Sequence, residues 1–158
     1  MNRTWHQLST EGKDSWLFYD AGVRDSLDYI DFMTDPAVFA YLVCDHDGKT
    51  PLATYFVNNF IGNAGTMHFS FFDAGLSRSK AIGIDTCNFL LRNGGLSALI
   101  GITPKPFRHA WKFATSVGFV QKAILPQACY LKGVGQTRLV DAVITLCTTE
   151  TLLPFPTE

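Results

Sequence analysis

"SRSKAIGIDTCNFLLRNGG", Ser77 to Gly95, places two cations among small residues and then enters an apolar pattern that stops at paired glycines. Ile82, Phe89 and Leu90, with Leu91 beside them, recur at helical spacing, and Asn93-Gly94-Gly95 supplies the stop, so the stretch predicts a helix over 79–92. Upstream, "VFAYLVC", "TPLATYFVNNFIG" and "MHFSFF" read as three strands, separated by the polar turns "DHDGK" and "NAGT". Turns this short make neighbouring strands pair as an antiparallel meander. Downstream, "LSALIGIT" reads as a buried strand. "KPFRHAWKFATSVGF" follows as a helix carrying Phe107, Ala110, Trp111 and Ala114 and ending at Gly118; one or two strands, including "LVDAVITLC", close the pattern. Ahead of the meander, "VRDSLDYIDFM" sets Val23, Leu27, Ile30 and Met33 at near-helical spacing, and Asp35-Pro36 ends that helix. Residues 1–19 yield no clear pattern, and the tail "TTETLLPFPTE" reads as irregular. A strand, a helix and a strand around the quoted stretch form a right-handed parallel crossover. The order of elements implies an α+β (α/β) fold with a mixed, mostly antiparallel central sheet and helices on both faces.

The 158 residues suit one domain over 1–158, and 47% hydrophobic content is enough for a real core. A formal net charge of -1 argues against the broad basic surface that nucleic acid or an anionic membrane demands, so neither is expected as a partner and any phosphate site is local. The opening "MNRTWHQLSTEGKDSW" has no leader pattern, and no apolar run reaches the roughly 18 residues of a membrane span. A cytoplasmic location is the expectation. Cys44, Cys87, Cys129 and Cys147 are scattered without CxxC spacing, which points to buried reduced thiols rather than a metal site or a disulfide framework.

Where a strand hands over to a helix in a crossover, backbone N–H groups lack partners and the positive end of the helix dipole lies behind them. Small residues let phosphate approach the backbone, and Arg78 and Lys80 add charge-assisted contacts. The stretch is therefore competent to hold phosphate. Cations at a helix start oppose the dipole unless an anion arrives, and solvated helices also tolerate them, so the residues alone leave both readings open.

"RSKAIG", Arg78 to Gly83, resembles the pyrophosphate-binding loop of the Gcn5-related N-acetyltransferase (GNAT) superfamily, with Ala81 and Gly83 in its two small positions. "FRHAWKFATSVGF" resembles that family's second signature, a helix ending in Gly-Phe before a strand, here Gly118-Phe119. The likeness in element order covers about Leu52 to Cys147. Within the superfamily, "MHFSFF" and "GITPKPFRHAWKFA" are more similar to phage-encoded members. The resemblance implies acetyl coenzyme A as cofactor, held by Arg78, Ser79, Lys80, Ala81, Ile82 and Gly83, and transfer of its acetyl group to an amine. It also implies that a backbone N–H between Phe71 and Asp73 polarises the thioester carbonyl, so Phe71 and Phe72 join the cofactor-binding set.

A general base must take the ammonium proton. His68 is the candidate, since its unperturbed pKa lies near neutrality, although a histidine alternating with aromatics on a strand is also commonly a packed residue. Asp73, at the strand's end, is the second candidate, with a plain turn residue as the competing reading. His109, beside Arg108 and Lys112, reads as part of a solvated basic face, and His46 as a turn residue. "GVGQTR", Gly133 to Arg138, reads as a hairpin loop rather than a second phosphate cradle. Two positions depart from the family pattern. An Asn commonly stands near the start of the second helix and a Tyr four residues before the Gly-Phe, where its hydroxyl protonates the departing thiolate; here those positions hold Phe107 and Ala114. Ser116 and Tyr130 are the available substitutes. These departures favour an alternative, a catalytically impaired phage protein that acts in virion assembly or as an interaction module with phage structural proteins.

Overall fold

A computed structural model of the chain describes residues 1–132 and 137–154. The elements run α1 (Asn2–Thr10), α2 (Asp14–Leu17), α3 (Ser26–Thr34), β1 (Phe39–Cys44), β2 (Pro51–Ile61) and β3 (Ala64–Phe71). A 3-10 turn (Asp73–Arg78) follows, then α4 (Ser79–Arg92), β4 (Ala98–Pro104), α5 (Arg108–Ser116), β5 (Val120–Lys132) and β6 (Thr137–Thr148). The six strands form one mostly antiparallel sheet in the order β1-β2-β3-β4-β6-β5. β1 and β2 pair antiparallel, with Phe39 opposite Val57 and Tyr41 opposite Tyr55. β3 and β4 are parallel, with Ala64 opposite Ala98 and Thr66 opposite Ile100, as the crossover through α4 requires. β6 is antiparallel to both of its neighbours. The chain divides into two compact units, one of residues 1–59 with 68–79 and one of residues 60–67 with 80–158, so β2 and β3 each contribute to both.

In the first unit Leu52 to Val57 of β2 are buried without interruption, so this strand has apolar cover on both faces. One core cluster comprises Leu8, Leu17, Phe18, Val23, Tyr29, Met33, Phe56 and Phe72, with Trp5 and Phe32 against it. Its rings are set by geometry: Phe18 lies nearly parallel to Phe56 at 6.0 Å, and Phe32 meets Phe56 edge-on at 5.1 Å. Two expectations change here. Residues 1–19 hold α1 and α2, whose buried side chains are only Thr4, Leu8 and Leu17, too sparse a stripe to show as periodicity. In α3 the buried pair is Tyr29 and Met33, while Leu27 is 70% exposed. The Asp25 carboxylate accepts the N–H groups of Leu27 and Asp28, which starts the helix at Ser26 and turns Leu27 outward.

α4 spans Ser79–Arg92, as its pattern predicts, and all of it after Ser79 belongs to the second unit. A Cβ at Gly83 would stand 2.8 Å from Phe113 Cζ and 2.9 Å from Val117 Cγ1, so the absent side chain at Gly83 lets α4 pack closely on α5. Gly118, at φ +111, turns the chain out of α5, and the Ala114 carbonyl accepts the N–H groups of Val117 and Phe119. The final strands number two. β5 escapes periodicity because two register shifts interrupt its pairing and nearly all its residues are exposed. Cys87, Cys129 and Cys147 are buried free thiols and Cys44 is half-buried. In the hairpin loop read at Gly133–Arg138, residues 133–136 lie outside the described residues, as do 155–158 of the tail. Among the described residues no helix is long and apolar enough to cross a membrane.

Candidate functional site

The chain leaves β3 at Phe71 and enters the 3-10 turn, which runs into α4 without a break. Two hydrogen bonds within the first unit hold the start of this segment: the Phe72 N–H donates to the Leu52 carbonyl at 3.0 Å, and the Asp73 N–H donates to the Glu11 carboxylate at 2.8 Å. Of the three amides expected to offer an oxyanion donor, those of Phe72 and Asp73 are thus already engaged. The Phe72 side chain is fully buried, and its ring packs in the core cluster. Nor is the segment an open loop with a row of unpartnered amides: the Ser79 N–H closes onto the Leu76 carbonyl.

Charge gathers where the turn meets α4. Arg78 Nη2 lies 3.0 Å from Asp45 Oδ1, both side chains half exposed. Asp45 sits at the β1–β2 turn, its N–H bonded to the Thr50 carbonyl at 2.8 Å and its Oδ1 accepting the His46 N–H at 2.8 Å. Asp47 fixes the rest of that turn by accepting from the N–H groups of Lys49 and Thr50 and from the Thr50 hydroxyl. The His46 amide and the Arg78 guanidinium hold the Asp45 carboxyl below the usual range. Lys80 is exposed and forms no ion pair among the described residues, and the first turn of α4 contains no acidic residue. Within the same stretch Ser79 and Ala81 are half-buried, and Ile82 and Gly83 are buried. Gly83 is absorbed by contact with α5, so Gly83→Val tests helix packing and not phosphate approach.

His68 belongs to the core side of β3. Its ring stacks on Phe56 at 4.4 Å and 14°, and Nε2 lies 3.2 Å from Asn58 Oδ1. Because an amide oxygen only accepts, Nε2 carries the proton and Nδ1 is the acceptor nitrogen. Burial lowers the pKa to about 4, so the imidazole is neutral near pH 7 and contributes no rate limb there, in contrast with the near-neutral titration read from the sequence. A depressed folded pKa favours folding above the unfolded value and loses that contribution as pH falls through the folded one. Between about pH 6.5 and 4 the unfolded chain binds the extra proton, and His68 alone should remove about 3 kcal/mol of stability across that window. Denaturant melts from pH 7 to 4 should show this slope in the wild type and not in His68→Phe, which keeps the stack but cannot titrate. Equal slopes in the two proteins would remove His68 as its source.

Asp73 is exposed and its carboxylate lies 3.0 Å from Lys13 Nζ, which makes it part of a small network with Glu11 rather than an isolated turn residue. Of the substitute acids, the Ser116 hydroxyl donates to the Phe113 carbonyl at 2.7 Å within its own helix, and Tyr130 on β5 is 59% exposed. Phe107 stands at the N-cap of α5 and stacks with His109. Ala114 is half-buried on α5. Sequence reasoning passed over Asp45, Glu11 and Asn58; each acts through a partner distant in the chain, and only the "DHDGK" turn chemistry marked one of them.

No protein-family model and no curated protein matches the sequence. Solved structures do match. A spermidine N-acetyltransferase from Vibrio cholerae, in complex with CoA and spermine, superposes with a TM-score of 0.76 at 12% identity, covering 96% of this chain and 92% of that one. A mutant of the Vibrio cholerae enzyme gives a TM-score of 0.72 at 13% identity over 97% and 92%. The ribosomal-protein-S5-alanine acetyltransferase from Vibrio fischeri gives 0.61 at 16% over 81% and 70%. The chain has the GNAT fold.

Proposed function

We propose that the chain binds acetyl coenzyme A through Arg78–Gly83 and transfers the acetyl group to an amine. The observation that carries this reading is the parallel β3–α4–β4 unit with Arg78 and Lys80 at the head of α4 and no acidic residue in its first turn. The donor set is compatible with phosphate: Arg78 pairs with Asp45 through Nη2, and Lys80 forms no ion pair among the described residues. The structural neighbours support it, since the spermidine enzyme was solved with CoA and an amine.

When bound, acetyl coenzyme A supplies an activated acyl carbon. Arg78 and Lys80 would anchor its phosphates, and the end of β3 near Phe71 would orient the thioester. The attacking amine must be neutral, and its proton would pass to water or to the exposed Asp73 carboxylate, because His68 is stacked in the core with its pKa lowered to about 4. A proton for the departing coenzyme A thiolate would come from water or from the exposed Tyr130 hydroxyl, because the Ser116 hydroxyl is committed to the Phe113 carbonyl. Incubation with acetyl coenzyme A and a panel of polyamines and peptide N-termini should release free thiol, and Arg78→Ala should raise KM for acetyl coenzyme A with little change in kcat. Equal KM in the two proteins would remove Arg78 from the cofactor site.

A second reading is favoured by Ala114 and Phe107 at the two signature positions: a GNAT-fold phage protein that acts in the host cytoplasm as an interaction module without turnover. It shares the fold and differs in showing no thiol release with any amine.

A further inference from the structure

We infer that Asp45 is a positioning residue for the cofactor site, holding the Arg78 guanidinium in the orientation that receives a phosphate. The inference rests on the reading of Arg78 as a phosphate ligand. Arg78 has no polar partner among the described residues other than Asp45, and the pair joins Nη2 to Asp45 Oδ1 at 3.0 Å while the guanidinium stays half exposed, so donors of the fork remain open to solvent. An arginine presents its donors in a rigid planar fork, so fixing one corner fixes the direction of the others. The corner is fixed by a carboxylate that is itself fixed. Asp45 is tied through its own N–H to Thr50 and through Oδ1 to the His46 N–H, and the Asp47 bonds to Lys49 and Thr50 close the same turn. A hydrogen-bonded turn remote in sequence thus sets the reach of the cation at the head of α4.

The competing role for Asp45 is that of a rival anion, which an incoming phosphate must displace. Geometry favours positioning, because the Asp45 oxygen nearest the guanidinium is shared with the His46 amide and its turn is held by further hydrogen bonds, whereas a rival would be free to take the fork with both oxygens. The two roles predict opposite signs for the same substitution.

Coenzyme A is titrated calorimetrically into the wild type, Asp45→Asn, Arg78→Ala and the double variant, with a thermal melt of each. Positioning predicts that Asp45→Asn weakens binding about fivefold, that the double variant is no weaker than Arg78→Ala alone, and that Asp45→Glu recovers part of the loss. Melting temperatures of Asp45→Asn and Asp45→Glu serve as the folding control and should stay within a few degrees of the wild type. Equal or tighter binding by Asp45→Asn, with Arg78→Ala still weakened, overturns the positioning role alone. An Arg78→Ala variant that binds as the wild type does overturns both this inference and the phosphate-ligand reading beneath it.

Discussion

Gly75→Ala is expected to lose about 3 kcal/mol of folding stability, which lowers the melting temperature of a chain this size by about 10 °C. Gly75 is buried in the 3-10 turn, and a Cβ there would collide with the Leu52 carbonyl oxygen, with the carbonyl carbon 2.7 Å and the Cα 3.0 Å away. These are backbone atoms at the start of the buried run Leu52–Val57, so they cannot rotate aside as a side chain can. The same carbonyl accepts the Phe72 N–H, so pushing the turn off β2 also weakens the bond that anchors its start. The damage falls on the segment that delivers Arg78. Thermal and denaturant melts of Gly75→Ala beside Ala74→Gly, an exposed neighbour, separate the steric effect from a general sensitivity of the turn. A Gly75→Ala protein as stable as the parent would show that the turn slides freely against Leu52.

Ala114→Tyr is expected to raise the rate of acetyl transfer by about a hundredfold wherever protonation of the leaving thiolate limits turnover, a typical contribution of a general acid. Ala114 stands four residues before Gly118 on α5, at the position where the resembling family places its thiolate-protonating tyrosine. The residue is half-buried, so the larger ring adds about 1–3 kcal/mol of overpacking, and stability must be measured with rate. Steady-state thiol release in the parent, Ala114→Tyr and Ala114→Phe distinguishes the hydroxyl from the ring. Equal rates for the tyrosine and phenylalanine variants would show that no acid is missing at this position.

Local signals carried much of the fold. The bounds of α4 were legible because cations, small residues and a glycine pair bracket one apolar stripe, and the three strands before it were legible because polar turns separate them. What failed depends on distant partners. The strand pattern around His68 could not show Phe56 lying over the ring, and that cover moves its titration to about 4. Gly83 fits a phosphate motif by type, yet its missing side chain answers Phe113 and Val117, some thirty residues further along the chain. Arg78 was legible as a cation in a phosphate-like stretch, but its anchor Asp45 was visible only as part of a polar turn. The third strand was read from Met67, although it begins at Ala64, because Gly62-Asn63 alone makes the reversal.

The central claim, that this fold holds coenzyme A at the head of α4, is tested most directly by calorimetric titration of the wild-type protein with coenzyme A, paired with a thermal melt at saturating ligand. Saturable one-to-one binding is predicted, with added stability of about 2.7 kcal/mol at a ligand concentration a hundred times Kd and a weaker Kd in Arg78→Ala. No heat of binding and an unchanged melting temperature at millimolar coenzyme A would contradict it.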